Sequence, residues 1–262
     1  MRVAAGGICL NYELQGSGTP LVLTHGLGDS LRYWDEVTPP LAARHAVMRW
    51  DVRGFGASDK PAGPYTPSLF AADLAALLDA LRLDTVHLAG ISMGGVIAQR
   101  FALDYPERLR SLILCSTSSE VGPAATANWR RLADRVERVG FEGVQDAVRV
   151  FSPGFAADHA DIVAAATERA ARNDPHAYAA AARAVSDFQW TAELGRVRLP
   201  VLILQGLADQ LTPPGGSVKM QRALRAARLV MLPDTGHSLP VEQPARFVES
   251  VLEFTSAVEA GR

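Results

Sequence analysis

The chain has 262 residues, 48% of them hydrophobic, which is enough to fill one large α/β domain or two small ones. Its 26 basic and 28 acidic side chains nearly cancel, and this excludes the extended surface field that gathers nucleic acid or anionic lipid. Only two cysteines, Cys9 and Cys115, occur, both in apolar runs, so a disulfide framework is excluded; without a basic, apolar leader or a run of about 18 apolar residues, a soluble cytoplasmic protein is expected.

Residues 8–14, followed by Gly16, Ser17, Gly18 and Pro20, read as an edge strand that turns into a sheet. Short apolar runs rich in β-branched residues then recur at 21–24, 46–50, 85–89, 112–116, 201–205 and 229–232, each too short for a helix. Several are continuously apolar rather than alternating, as central parallel strands covered on both faces should be. Between them the pattern turns helical. The clearest helix spans 67–82, with Phe70, Leu74, Leu77, Leu78 and Leu81 on one face and Thr66 or Ser68 as the cap. The spacing therefore predicts an α/β fold with a mostly parallel central sheet flanked by helices.

The βα rhythm breaks after residue 117. Alanine-rich helical stretches follow at 127–139, 141–151, 158–173 and 175–188, separated by Gly140, by Ser152 to Gly154 and by Asp174 with Pro175. The expected division is a core of residues 1–117 and 200–262 with an inserted helical cap at 118–199.

Gly90-Ile91-Ser92-Met93-Gly94 matches Gly-x-Ser-x-Gly, whose mechanics are a sharp strand-to-helix turn that raises a serine hydroxyl above a sheet. The context the motif needs is present: a strand at 85–89 enters the turn and a helix at 95–102 leaves it. A serine hydroxyl is a weak nucleophile and needs a histidine beside it, which in turn needs a group to orient it. Of six histidines, His237 alone follows the last strand in a loop at the carboxyl edge of the sheet, where active sites of such folds gather. Asp209, just past the strand 201–205, opens on the same edge, and the order Ser92, Asp209, His237 is that of hydrolases built this way. Two other acids compete. Asp234 is close enough to His237 to shape its loop through an Asx turn, and Glu120 follows the preceding strand.

A tetrahedral intermediate needs backbone N–H donors, which the sequence assigns to Met93, directly after the serine, and Leu27 in His25-Gly26-Leu27-Gly28. The loop from Asp51 to Asp59 lacks the lysine and spacing of a phosphate loop, and an internal ion pair between Asp51 and Arg53 is expected there. No Cys or His cluster has metal-site spacing, and the chemistry needs no cofactor.

With these residues in place the chain resembles the α/β-hydrolase family over nearly its whole length. The resemblance is carried by His25-Gly26-Leu27-Gly28 with Trp34, the 51–58 loop, Gly90 to Gly95, the Asp209 loop, and Gly236-His237 leading into Glu242-Gln243-Pro244. Within the family, residues 27–34, 63–66 and 77–82 look like those of 3-oxoadipate enol-lactonases and small carboxylesterases, although many of those lactonases have Asn-Ser where this chain has His25-Gly26.

The resemblance and the residues together imply a serine hydrolase of a small-molecule carboxylic ester or lactone. Hydrolysis of a carbon–carbon bond, or perhydrolysis, would use the same three residues, and a receptor that has kept the pocket is the reading from another class. Ser92 argues against dehalogenase or epoxide hydrolase relatives, which use a carboxylate at this turn. The cap aromatics Trp129, Phe151, Phe155, Phe188 and Trp190 face either the pocket or the cap's own core; Trp129 and Trp190, with Trp34, are the substrate-binding candidates.

Overall fold

The computed structural model describes residues 1–142 and 150–261, and within them eight strands form one sheet. These are β1 (Arg2–Ala5), β2 (Ile8–Gln15), β3 (Pro20–Thr24), β4 (Ala46–Trp50), β5 (Val86–Ile91), β6 (Leu109–Cys115), β7 (Val201–Gly206) and β8 (Ala227–Leu232). Their spatial order is β1-β2-β4-β3-β5-β6-β7-β8, antiparallel where β2 meets β1 and β4 and parallel in every other pairing. All six apolar runs of the sequence are strands. Residues 8–14 do form a strand, but not the edge one. The edge is β1, a hairpin partner of four residues with a single β-branched one, too short to stand out in the sequence.

The continuous apolar character of the central strands has a direct structural cause. Along β5, Val86 and Leu88 pack on one side of the sheet while Ala89 and Ile91 pack on the other. In β7, Val201 and Ile203 take the first side, and Leu202 and Leu204 the second. Side chains alternate with period two, so a strand buried on both faces needs apolar residues at every position.

Helices cover the two faces. On the first lie α2 (Pro67–Ala80) and α3 (Met93–Asp104), with Phe70, Leu74, Ile97 and Phe101 fully buried. Thr66 caps α2, its hydroxyl accepting the Leu69 N–H at 3.1 Å. The second face is covered by α1 (Thr38–Ala42) and α10 (Pro244–Ala260) through Leu41, Phe247, Val251 and Phe254.

The cap contains α4 (Pro123–Val139), α5 (Pro153–Asp158), α6 (Ala160–Ala171) and α7 (Pro175–Ala184). The helix expected at 141–151 lies for the most part outside the described residues. The stretch expected as one helix at 158–173 is broken at His159, whose φ of −131° and ψ of 53° divide α5 from α6. The last one stops at Ala184 because the chain then turns back, pairs Gln189 with Glu120 and buries Phe188 and Trp190. Two further helices, α8 (Pro214–Ala223) and the short α9 (Leu239–Glu242), follow β7 and β8.

The ion pair expected between Asp51 and Arg53 does not form. Arg53 instead grips Asp73 of α2 with two nitrogens, Nη2 lying 2.6 Å from Oδ1. Asp51 serves as an acceptor hub, taking the backbone N–H of Leu31 at 2.7 Å, that of Ala57 at 2.8 Å and the Asn11 amide at 2.8 Å. A buried carboxylate is satisfied as well by several N–H donors as by one cation, and the turn here brings the N–H groups closer.

Candidate active site

Ser92 stands between β5 and α3 with φ 53° and ψ −119°, a positive-φ conformation that is strained for any residue with a side chain. Its surroundings hold it there. The Ser92 N–H donates to the Cys115 carbonyl at 3.0 Å, and its own carbonyl accepts from the Val96 N–H and the Thr117 hydroxyl, each at 3.0 Å. Glycine is required on the α3 side: a Cβ at Gly94 would lie 2.2 Å from the Thr24 carbonyl oxygen, so only a bare backbone lets the helix start against β3.

Asp209 and His237 reach the same edge of the sheet from the loops after β7 and β8. The His237 Nδ1 lies 2.9 Å from Asp209 Oδ2, and both residues are buried. Asp209 also accepts the backbone N–H groups of Leu211 and Thr212 at 2.9 Å, the Thr212 hydroxyl at 2.6 Å and the Gln205 amide at 3.2 Å. Burial alone would raise its pKa; the adjacent His237 and these hydrogen bonds outweigh burial and hold the carboxyl below its ordinary value. A carboxylate so placed fixes the histidine tautomer with Nδ1 protonated and leaves Nε2, across the ring, as the basic nitrogen.

The two competing acids are occupied elsewhere. Glu120 is bound by Lys219 and by the Thr191 hydroxyl, the latter at 2.8 Å. Asp234 sits in the turn before His237 with φ 52°, a conformation that Asp tolerates better than most residues.

Ser92 and His237 line one cavity of about 150 Å³, together with Gly26, Leu27 and Gly28 from the loop after β3. That loop is pinned from both sides. His25, fully buried, accepts the Val52 N–H on Nε2 at 3.0 Å, so its Nδ1 carries the proton and donates to the Gly26 carbonyl at 2.7 Å. Burial lowers the His25 pKa and keeps the ring neutral in this role. From the cap, the Asn173 amide donates to the Gly28 carbonyl at 2.7 Å. Met93, the first residue of α3, follows Ser92 and is buried, and a helix's first N–H groups have no partner within the helix itself.

The aromatic candidates divide. Trp129 lines the cavity, as do Phe151 and Tyr178. Trp34 does not; it is fully buried on the far face of the sheet against Phe247, with ring centroids 5.7 Å apart. Its neighbour Tyr33 faces the cavity instead, since consecutive residues of the 3₁₀ turn Leu31–Trp34 point in different directions. Trp190 also lies away from the cavity: it stacks on Phe188 at 4.4 Å and donates its indole N–H to Gln99 of α3 at 3.0 Å. It anchors the cap to the core.

Sequence reasoning gave no role to Asp29, Tyr33, Arg169 or Glu242. The first three line the cavity. Glu242 of α9 brackets the His237 loop and the cap, accepting the Gly236 N–H at 3.0 Å and the Ser152 N–H at 3.1 Å through one carboxylate oxygen. A Cβ at Gly236 would lie 2.4 Å from the Ser152 nitrogen, so the loop and cap touch backbone to backbone. In the sequence Glu242 entered only through the stretch Gly236 to Pro244 that carries the family resemblance, with no role attached to it.

No group of three or more His, Cys, Asp or Glu among the described residues is arranged to hold a metal ion, and none of the described helices is long and apolar enough to cross a membrane. A mostly parallel sheet with a strained serine elbow and a carboxylate–histidine pair on its carboxyl edge defines a class of protein, and residues 19–244 match that class, the α/β hydrolase fold. The chain belongs to this family. It is 30% identical to 3-oxoadipate enol-lactonase 2 of Acinetobacter baylyi over 258 residues, covering 96% of each chain. It is also 30% identical to 2-hydroxy-6-oxo-2,4-heptadienoate hydrolase of Pseudomonas putida, covering 97% of this chain and 95% of that one. Among solved structures, a thermophilic esterase from Thermogutta terrifontis superposes with a TM-score of 0.93 at 33% identity, covering 98% of this chain and 99% of the other.

Proposed function

We propose that this hydrolase cleaves a small carboxylic ester or lactone through an acyl-enzyme, with Ser92 as nucleophile, His237 as general base and acid, and Asp209 as the group that orients and charge-balances the histidine. The observation that carries the reading is the 2.9 Å contact of Asp209 with His237 Nδ1 beside a cavity that His237 shares with a strained, buttressed Ser92. In the reaction His237 Nε2 takes the proton as Ser92 Oγ attacks the carbonyl carbon. The oxyanion is held by the N–H groups of Leu27 and Met93. Collapse expels the alkoxide, protonated by His237, and water then repeats the sequence on the acyl-serine. In a lactone the alkoxide stays on the same molecule, which leaves as a hydroxy or oxo acid.

The names of its relatives support this class of substrate: an enol-lactonase at 30% identity and an esterase at 33%. The cap, residues 118–199, supplies Trp129 and Phe151 to the cavity wall and on this reading sets which acyl or lactone group enters. Hydrolytic carbon–carbon cleavage is the second reading, favoured by the 30% identity to the heptadienoate hydrolase.

The test is a fluorophosphonate probe applied with a panel of p-nitrophenyl esters, enol-lactones and vinylogous diketones. One covalent adduct on Ser92, lost in Ser92→Ala together with turnover of esters or lactones, is the expected result. Turnover confined to the diketones would favour the second reading; labelling that persists undiminished in Ser92→Ala would remove the nucleophile.

A further inference from the structure

Among the described residues that line the cavity beside Ser92, the formally charged ones are Asp29 and Arg169, and they lie together. Asp29, in the loop after β3, is 3.6 Å from Nε of Arg169 on cap helix α6, and both line the cavity. At that distance the two charges attract but make no hydrogen bond, and the Arg169 Nε–H is buried without a partner. A second buried donor faces the same space. The Tyr33 hydroxyl lies beside Ser238 without a hydrogen bond of ordinary geometry. Leu132, Phe151 and Ala166 are among the apolar residues of the wall.

An occupant therefore meets, from the described residues, a carboxylate and two buried donors that make no hydrogen bond of ordinary geometry. A substrate carboxylate that approached Arg169 would also face Asp29, whose like charge opposes the attraction of the guanidinium. An uncharged amide or hydroxyl would supply the missing acceptor and offer a hydrogen to Asp29. We infer that this cavity selects esters or lactones whose acid portion carries an uncharged hydrogen-bonding group, an amide or a hydroxyl, over those that carry a carboxylate. The inference rests on the reading of Ser92 as nucleophile. Burial pushes the Asp29 pKa up while Arg169 pulls it back; the selection depends on the ionised carboxylate and so strengthens as pH rises.

The test compares two p-nitrophenyl esters of equal length, of adipic acid (a terminal carboxylate) and of adipamic acid (a terminal amide), with the hexanoate ester as a common reference, at about pH 8.5. The wild type is expected to favour the amide by about tenfold or more in kcat/KM. Asp29→Asn, which leaves the Arg169 charge unmatched, should move the ratio toward the carboxylate by about a hundredfold, with the hexanoate rate reporting any general damage. A wild-type preference for the carboxylate, or a ratio unmoved by Asp29→Asn, would overturn the inference. Calorimetric titration of Ser92→Ala with the corresponding methyl esters reads the same preference without turnover. If the amide bound more tightly there while the wild-type protein turned over no ester and took no fluorophosphonate, the nucleophile would be wrong and the selectivity would stand; equal binding of the two methyl esters would sink the selectivity alone.

Discussion

Asp209 is ringed by hydrogen-bond donors, two backbone N–H groups, a hydroxyl, an amide and the His237 ring. Asparagine at this position would turn its own N–H₂ toward some of those donors and reward the opposite tautomer of His237, with Nε2 protonated and unable to act as a base. Asp209→Asn is expected to lower kcat by about 10³ to 10⁴, as loss of the orienting carboxylate does elsewhere. Asp234→Asn should remain within about threefold of wild type, because asparagine tolerates the same positive φ of 52°. Parallel kcat measurements on the two variants check this. Equal losses would mean that Asp234 is the partner that matters.

At the level of elements, α9 is short, yet its Glu242 joins the His237 loop to the cap through the Gly236 and Ser152 N–H groups, while the Ser238 N–H donates to the Val150 carbonyl at 2.8 Å. Glu242→Ala leaves two backbone donors in a tightly packed region without their acceptor, at a cost of about 2 to 4 kcal/mol in stability. Besides a lower melting temperature, slower fluorophosphonate labelling of Ser92 is expected, since His237 loses its support. Normal labelling in a folded Glu242→Ala protein would confine the residue to a purely structural role.

The two cap tryptophans should separate in the same way. Trp129→Ala enlarges the cavity and is expected to shift relative kcat/KM toward bulkier acyl groups with little loss of stability. Trp190→Ala removes a buried stack and leaves the Gln99 oxygen unpaired, so a fall of about 3 to 5 kcal/mol in unfolding free energy is expected from chemical denaturation. A specificity change without destabilisation in Trp190→Ala would contradict its assignment as an anchor.

Across the whole molecule, the sheet edge opposite the active site is closed by a buried polar cluster. His87 of β5 lies 2.7 Å from the Ser111 hydroxyl, and His45, before β4, lies 2.9 Å from the Thr255 hydroxyl of α10. Burial lowers the His87 pKa from 6.5 to about 4, so the folded protein holds this ring neutral where the unfolded chain would protonate it. A depressed pKa on a base means stability that is complete above the unfolded value and is lost as pH falls through the folded one. Between about pH 6.5 and 4 this group alone should remove about 3 kcal/mol. Unfolding free energies measured across that range for wild type and His87→Gln should converge toward acid; parallel curves would show that His87 does not govern the acid response.

Much of this organisation was legible in the sequence because it depends on near neighbours. A strand buried on both faces must be apolar at successive positions, and a serine at a strained turn must have glycine where the following helix meets the sheet; both rules act within a few residues. The strands, the elbow and the edge on which Asp209 and His237 emerge followed from them. Tertiary structure decided what depends on distant partners or on rotation of a short element. Arg53 chose Asp73, twenty positions away, over Asp51 beside it, because Asp51 was already satisfied by backbone donors. Whether Tyr33 or Trp34 faced the cavity turned on the orientation of one 3₁₀ turn. Asp29 and Arg169 belong to no local pattern, and the stretch that contains Glu242 says nothing of its partners; only the docking of the cap onto the sheet edge brings these charges to the cavity wall and the His237 loop.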